Sequence, residues 1–234
     1  MLFKLHQLII AAVAGVATAA GVAYYTIQSQ TVLEPFESIA QVVSDPGEPP
    51  PSSNPIVIQP PTAGCTIEAA VVDDPAPPLN VRSTPEVLPN NIVGQVENNT
   101  FLFVIQQQNG WLKIRQPISG WVAQNLTRSS CARVSQPINF SSDRNQAMIQ
   151  GEIIGGGSHR YLFEGDANQS LIVESRNSIF PQIITPNGQS LLSDEDLSSD
   201  RRVWRGQLPV TGQYTLELNS NFRGFQYDFL VTIE

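Results

Sequence analysis

The chain is poor in the residues that do chemistry. Its 234 residues include two cysteines, Cys65 and Cys131, and two histidines, His6 and His159. No Cys-x-x-Cys pair occurs, which excludes the usual zinc and dithiol motifs. A thiol nucleophile needs a neighbouring base, and the sequence supplies none beside either cysteine. Charge is sparse too: 15% of residues are charged, 13 basic against 21 acidic, for a net charge of −8. No Lys or Arg occurs between Lys4 and Arg82, and the basic residues never cluster beyond the pair Arg201-Arg202. Phosphate binding needs a basic face, so nucleic acid is excluded as a partner. Adhesion to anionic lipid through charge is disfavoured for the same reason. The run Gly155-Gly156-Gly157 is followed by no Lys-Ser/Thr and no helical pattern, so it is not a phosphate loop.

What is present begins with an uncharged stretch from Leu5 to Leu33. Its apolar part, Leu8 to Tyr25, is about long enough to cross a bilayer as a helix. Lys4 precedes it and Glu34 and Glu37 follow it, a bias that puts the N-terminus inside and the rest of the chain outside. Residues 1–27 read either as a retained signal anchor, with Tyr24-Tyr25 at the interface, or as a signal peptide cleaved after Ala17-Thr18-Ala19. Both readings export the chain.

Residues 28–62 hold eight prolines, including Pro49-Pro50-Pro51, and four acidic residues with no base. Proline at this density excludes helix and central strand. The segment is expected to be an extended, disordered linker that contains no sheet and packs on neither module. After residue 30, Val, Ile, Thr, Ser, Asn and Gly dominate, a composition of strands and turns. The fold class expected is therefore all-β.

In an exported chain an isolated cysteine pair predicts a disulfide, here Cys65 to Cys131. Between them short alternating strands are separated by turns, and Asn109-Gly110 between Val104-Ile105 and Trp111-Leu112-Lys113-Ile114 is a hairpin signal. Leu79-Asn80-Val81-Arg82-Ser83, Val93-Gly94, Asn109 to Ile114 and Gly120-Trp121-Val122, in that order, resemble the bacterial SH3-like family. The resemblance covers residues 63–134 and implies a small, strongly bent barrel that recognises cell-wall components or peptides. It implies adjacent first and last strands, which would bring the cysteines together. It also implies a surface groove flanked by Trp111 and Trp121, with Asn80 and Arg82 as its polar rim.

Residues 138–234 read as some eight strands, the clearest being Phe225 to Ile233, where apolar residues recur with period two. Regular strands and turns suggest a jelly roll or β-sandwich. Tyr161-Leu162-Phe163, Leu171-Ile172-Val173, Pro186-Asn187-Gly188 and Leu208 to Leu216 resemble the pre-peptidase C-terminal domain family, whose members are non-catalytic sandwiches. Asp194, Asp196 and Asp200 are weak calcium candidates, because hard cations take clustered carboxylates; without EF-hand spacing, a solvated loop is the plainer expectation. His159 is expected to be a turn histidine without a catalytic partner. The residues as a set predict no enzyme and no cofactor. They predict an exported, periplasmic or extracytoplasmic binding or adaptor protein, with peptidoglycan or envelope proteins as partners. The alternative is a structural or assembly factor for a membrane-protein complex.

Overall fold

The computed structural model describes residues 54–177, 179–193 and 202–234. The expected membrane span, the linker up to residue 53 and the acidic residues Asp194, Asp196 and Asp200 lie outside them. Among the described residues the protein is all-β, arranged in three sheets.

The strands in chain order are β1 (Ile56–Ile58), β2 (Ala69–Val72), β3 (Leu79–Arg82), β4 (Ile92–Val96), β5 (Phe101–Gln108), β6 (Trp111–Gln116), β7 (Gly120–Ala123) and β8 (Thr127–Ser129). There follow β9 (Arg133–Pro137), β10 (Gln146–Ile153), β11 (Gly157–Gly165), β12 (Ser170–Ser175), β13 (Gln182–Ile184), β14 (Val203–Gln207), β15 (Gly212–Ser220) and β16 (Phe225–Ile233). One sheet has the order β4-β3-β7-β6-β5-β2-β8 and surrounds a core that includes Val81, Leu102, Leu112, Ile114 and Val122. The other two, β1-β10-β16-β12-β14 and β13-β15-β11-β9, face a shared core of Tyr161, Phe163, Tyr214, Tyr227 and Phe229 among others.

Local chemistry explains much of this. Asn109 and Gly110 both take positive φ, 48° and 78°, and Gln108 pairs with Trp111, so a two-residue turn closes the β5–β6 hairpin. The period-two pattern of β16 holds: Tyr227, Phe229, Val231 and Ile233 are buried. Strands β10 to β16 make seven C-terminal strands among the described residues, against the eight expected.

The linker expectation fails at its C-terminal end. Ile56, Val57 and Ile58 pair in parallel with Ala147, Met148 and Ile149 of β10, and Ile56 and Ile58 pack on the two-sheet core. The prolines flank this strand instead of interrupting it, and it sits at a sheet edge where only one side needs donors. The boundary at 134 moves as well, because β9 pairs with β11 through Arg133–Pro137 and so belongs to the two-sheet module. The seven-stranded module is thus inserted between β1 and β9.

The neck of that insertion carries the disulfide. Cys65 and Cys131 are bonded, with Cα atoms 5.5 Å apart. The neighbouring strands β2 and β8 pair antiparallel, and the Ala132 amide donates to the Thr66 carbonyl at 2.8 Å. Across the junction the Ile154 amide donates to Ser130 Oγ at 2.7 Å and Arg128 meets Glu152 at 3.2 Å.

Candidate functional site

Alternation along β6 divides its side chains between two faces. Leu112 and Ile114 are fully buried in the module core, and Trp111, Lys113 and Arg115 take the outer face. On β7, Val122 points inward, so Trp121 is outward; its register partners are Lys113 on β6 and Arg82 on β3. Lys113 Nζ lies 5.7 Å from the Trp121 ring, a cation–π contact. Arg115 stacks in the same way at 5.4 Å over Phe103 of β5, which meets Phe101 edge-to-face at 5.1 Å.

The four residues expected to form a groove therefore share this outer face. Trp111 is half-buried, whereas Trp121 is only 7% exposed, so the ring at the surface is that of Trp111. Asn80 accepts a hydrogen bond from Gln95 Nε2 at 3.0 Å. Arg82 is largely committed to its own module: Nη1 donates to Asn91 Oδ1 at 2.7 Å and to the Leu88 carbonyl at 3.0 Å. Buried Asn91 in turn donates to Thr84 and Glu86, which fixes the loop between β3 and β4. Among the described residues, no carboxylate lies within ion-pair distance of Arg82, Lys113 or Arg115. The face thus combines aromatic rings with uncompensated cations. The sequence separated these residues; the cross-strand pairing of 82, 113 and 121 joins them.

His159 is not a turn residue. Gly157 already lies in β11, opposite Ser220, and the strand carries His159 into the interior, where it is fully buried. The ring bridges two partners, Nε2 to the Cys131 carbonyl at 2.8 Å and Nδ1 to the Tyr227 hydroxyl at 2.6 Å. A carbonyl can only accept, so Nε2 carries the proton and Nδ1 accepts from Tyr227. Tyr227 then accepts from the Tyr161 hydroxyl at 2.7 Å. Burial lowers the histidine pKa, partly offset by the Cys131 bond. It raises Tyr161 to about 12 and Tyr227 higher still. With both ring nitrogens engaged, this histidine holds structure and does not act as a free base. Among the described residues, no group of three His, Cys, Asp or Glu side chains is placed to hold a metal.

No family model matches the chain. A β-N-acetylglucosaminidase of Bacillus subtilis is 29% identical over 188 residues, which take in 72% of this chain and 19% of that enzyme. The chain thus spans about a fifth of the length of the curated relative it matches. Among solved structures, periplasmic inhibitors of g-type lysozyme are similar over part of the chain. The Aeromonas hydrophila inhibitor is 19% identical with a TM-score of 0.37, covering 44% of this chain and 97% of the inhibitor. A mutant of the Escherichia coli inhibitor is 18% identical with a TM-score of 0.36, covering 44% of this chain and 100% of that protein.

Proposed function

We propose that this is an exported, non-catalytic binding or adaptor protein of the cell envelope, and that it recognises cell-wall ligands through the outer face of its seven-stranded module. In this reading that module is a bacterial SH3-like barrel, and the two-sheet module is a β-sandwich of the pre-peptidase C-terminal type. The observation that carries it is the row Arg82, Trp121 and Lys113, with Trp111 and Arg115 beside it. Rings with uncompensated cations suit ligands that combine apolar faces with hydroxyl or carboxylate oxygens. The cell wall offers both, in its glycan and in its acidic peptides.

Two further observations support the reading. The Cys65–Cys131 bond belongs to an oxidising compartment, consistent with a periplasmic or extracytoplasmic location and with the membrane signal of residues 1–27. The curated relative is by name a β-N-acetylglucosaminidase, and the matched stretch is a minor part of its length. The test is retention of the purified protein on isolated peptidoglycan. Trp111→Ala is expected to weaken retention with little loss of thermal stability. Unchanged retention in that variant, or no retention of the parent, refutes the proposal.

One observation favours the alternative of an assembly factor. Edge strand β4 exposes Ile92 (45%) and Val93 (51%), beside Val87 (74%) and Leu88 (42%) of the preceding loop. An apolar edge of this kind suits a protein partner. Co-purification with a single membrane complex, without wall retention, would select that reading.

A further inference from the structure

The aromatic face does not end at the border of its module. Past Phe103 and Arg115 it opens into a groove of about 300 Å³ whose far wall is Gly155, Gly156 and Phe222, all from the two-sheet module. Phe222 lies in the β15–β16 turn at φ 85°, a left-handed conformation that is costly for a bulky residue, and its side chain is 77% exposed. The turn is locked in place. Ser220 Oγ donates to the Gly155 carbonyl at 2.6 Å and accepts from the Gly224 amide at 3.0 Å. Gly224, at φ 72°, packs so closely that a Cβ would collide with the Ile153 carbonyl. A phenyl ring held in solvent by a strained but pinned turn adds nothing to the core.

The near wall is aromatic and half-buried. Phe101 and Phe103 present their rings, Arg115 lies over Phe103, and Glu68 stands at the edge. Among the described residues neither the Arg115 nor the Glu68 side chain has an ion-pair partner. Strand β5 pairs with β2 through Phe101–Phe103 and with β6 from Phe103 onward, and the Val104 amide is used by the Glu68 carbonyl. A peptide therefore cannot add here as a strand, and recognition is left to ring faces and two opposite charges. That combination matches a pyranose ring, with its apolar C–H face and its rim of hydroxyl and amide groups.

We propose that this groove is a saccharide subsite for an N-acetylhexosamine glycan, and that the two modules build it jointly. The proposal rests on the wall-binding reading above and deepens it by naming the ligand class. Phe222 stacks on one sugar face across from Phe101 and Phe103, Arg115 donates to acetamido or hydroxyl oxygens, and Glu68 accepts from hydroxyls.

The probe is the tetramer of β-1,4-linked N-acetylglucosamine, titrated calorimetrically into the full chain alongside the peptidoglycan retention assay. Phe222→Ala and Arg115→Gln are each expected to weaken tetramer binding about fivefold to tenfold. Phe222→Tyr, which keeps the ring, is expected to restore it. Thermal melts of each variant report folding, and the high exposure of Phe222 makes its replacement structurally mild. If the parent is retained on the wall but does not bind the tetramer, the glycan assignment is overturned; binding of a purified stem peptide then marks a peptide ligand. Equal tetramer binding by parent and variants overturns the groove while leaving the wall-binding reading intact. Failure of the parent to be retained on peptidoglycan refutes both.

Discussion

Replacing Tyr227 by Phe removes one oxygen from the interior and leaves the ring. That oxygen donates to His159 Nδ1 and accepts from the Tyr161 hydroxyl, so its loss orphans two buried polar groups. At roughly 1–3 kcal/mol for each unsatisfied group, Tyr227→Phe is expected to cost about 2–6 kcal/mol. Tyr161→Phe removes only a donor, and Tyr227 keeps its bond to the histidine, so about 1 kcal/mol is expected. The order of the two variants, not their absolute values, carries the test. The pH dependence follows from the same chain. Burial holds the folded His159 pKa below its ordinary 6.5, so between the two values the unfolded state takes up a proton that the folded state does not. The stabilisation is fully present above about pH 6.5 and is lost as pH falls toward the folded value, at up to about 1.4 kcal/mol per pH unit. Urea unfolding at pH 7.5 and pH 5.5, for parent and His159→Gln, isolates this term, because the substitution removes the titrating group and leaves the carboxylates. Equal pH slopes in the two proteins would refute the lowered His159 pKa, and a larger loss from Tyr161→Phe than from Tyr227→Phe would refute the assigned direction of the hydrogen bonds.

Reduction of the Cys65–Cys131 bond reopens a loop of sequence separation 66 and is expected to lower stability by about 4 kcal/mol, read from melts with and without reductant. Gly151→Ala drives a methyl against the Tyr227 hydroxyl and the Pro60 ring, and should cost about 1–3 kcal/mol in the same melts. Trp121→Ala, at a residue 7% exposed, should cost roughly 3 kcal/mol, clearly more than Trp111→Ala; equal losses would show that the half-buried ring is part of the packing.

What the sequence disclosed was local. The Asn109-Gly110 hairpin, the inward Leu112 and Ile114 and the alternation of β16 depend on neighbouring residues, and all three hold. Strand β1 escaped because its partner Ala147–Ile149 lies some 90 residues away and its composition is dominated by flanking prolines. His159 was misplaced because a glycine run usually signals a turn, yet here Gly157 sits where a side chain would strike the Ala132 carbonyl. The outer face was half legible. Period two places Trp111, Lys113 and Arg115 together, but only strand order sets Trp121 between Lys113 and Arg82. Phe222 carried no sequence signal, since an aromatic beside Arg223-Gly224 reads as any turn until its backbone conformation is known.

The disulfide at the neck also decides how the chain carries tension. A pull between residue 54 and residue 234 enters through β1, reaches Cys65, crosses the sulfur bridge to Cys131 and continues into β9. The inserted module hangs beside that path as a side loop and bears none of the load. The row Arg82, Trp121 and Lys113, which lies wholly within the inserted module, is therefore insulated from forces that would peel β1 from β10. Some 66 residues, roughly 220 Å of extended chain, are withheld from any mechanical lengthening. Under reducing conditions the load passes through the module itself, and that hidden length appears as an added step in a single-molecule extension trace.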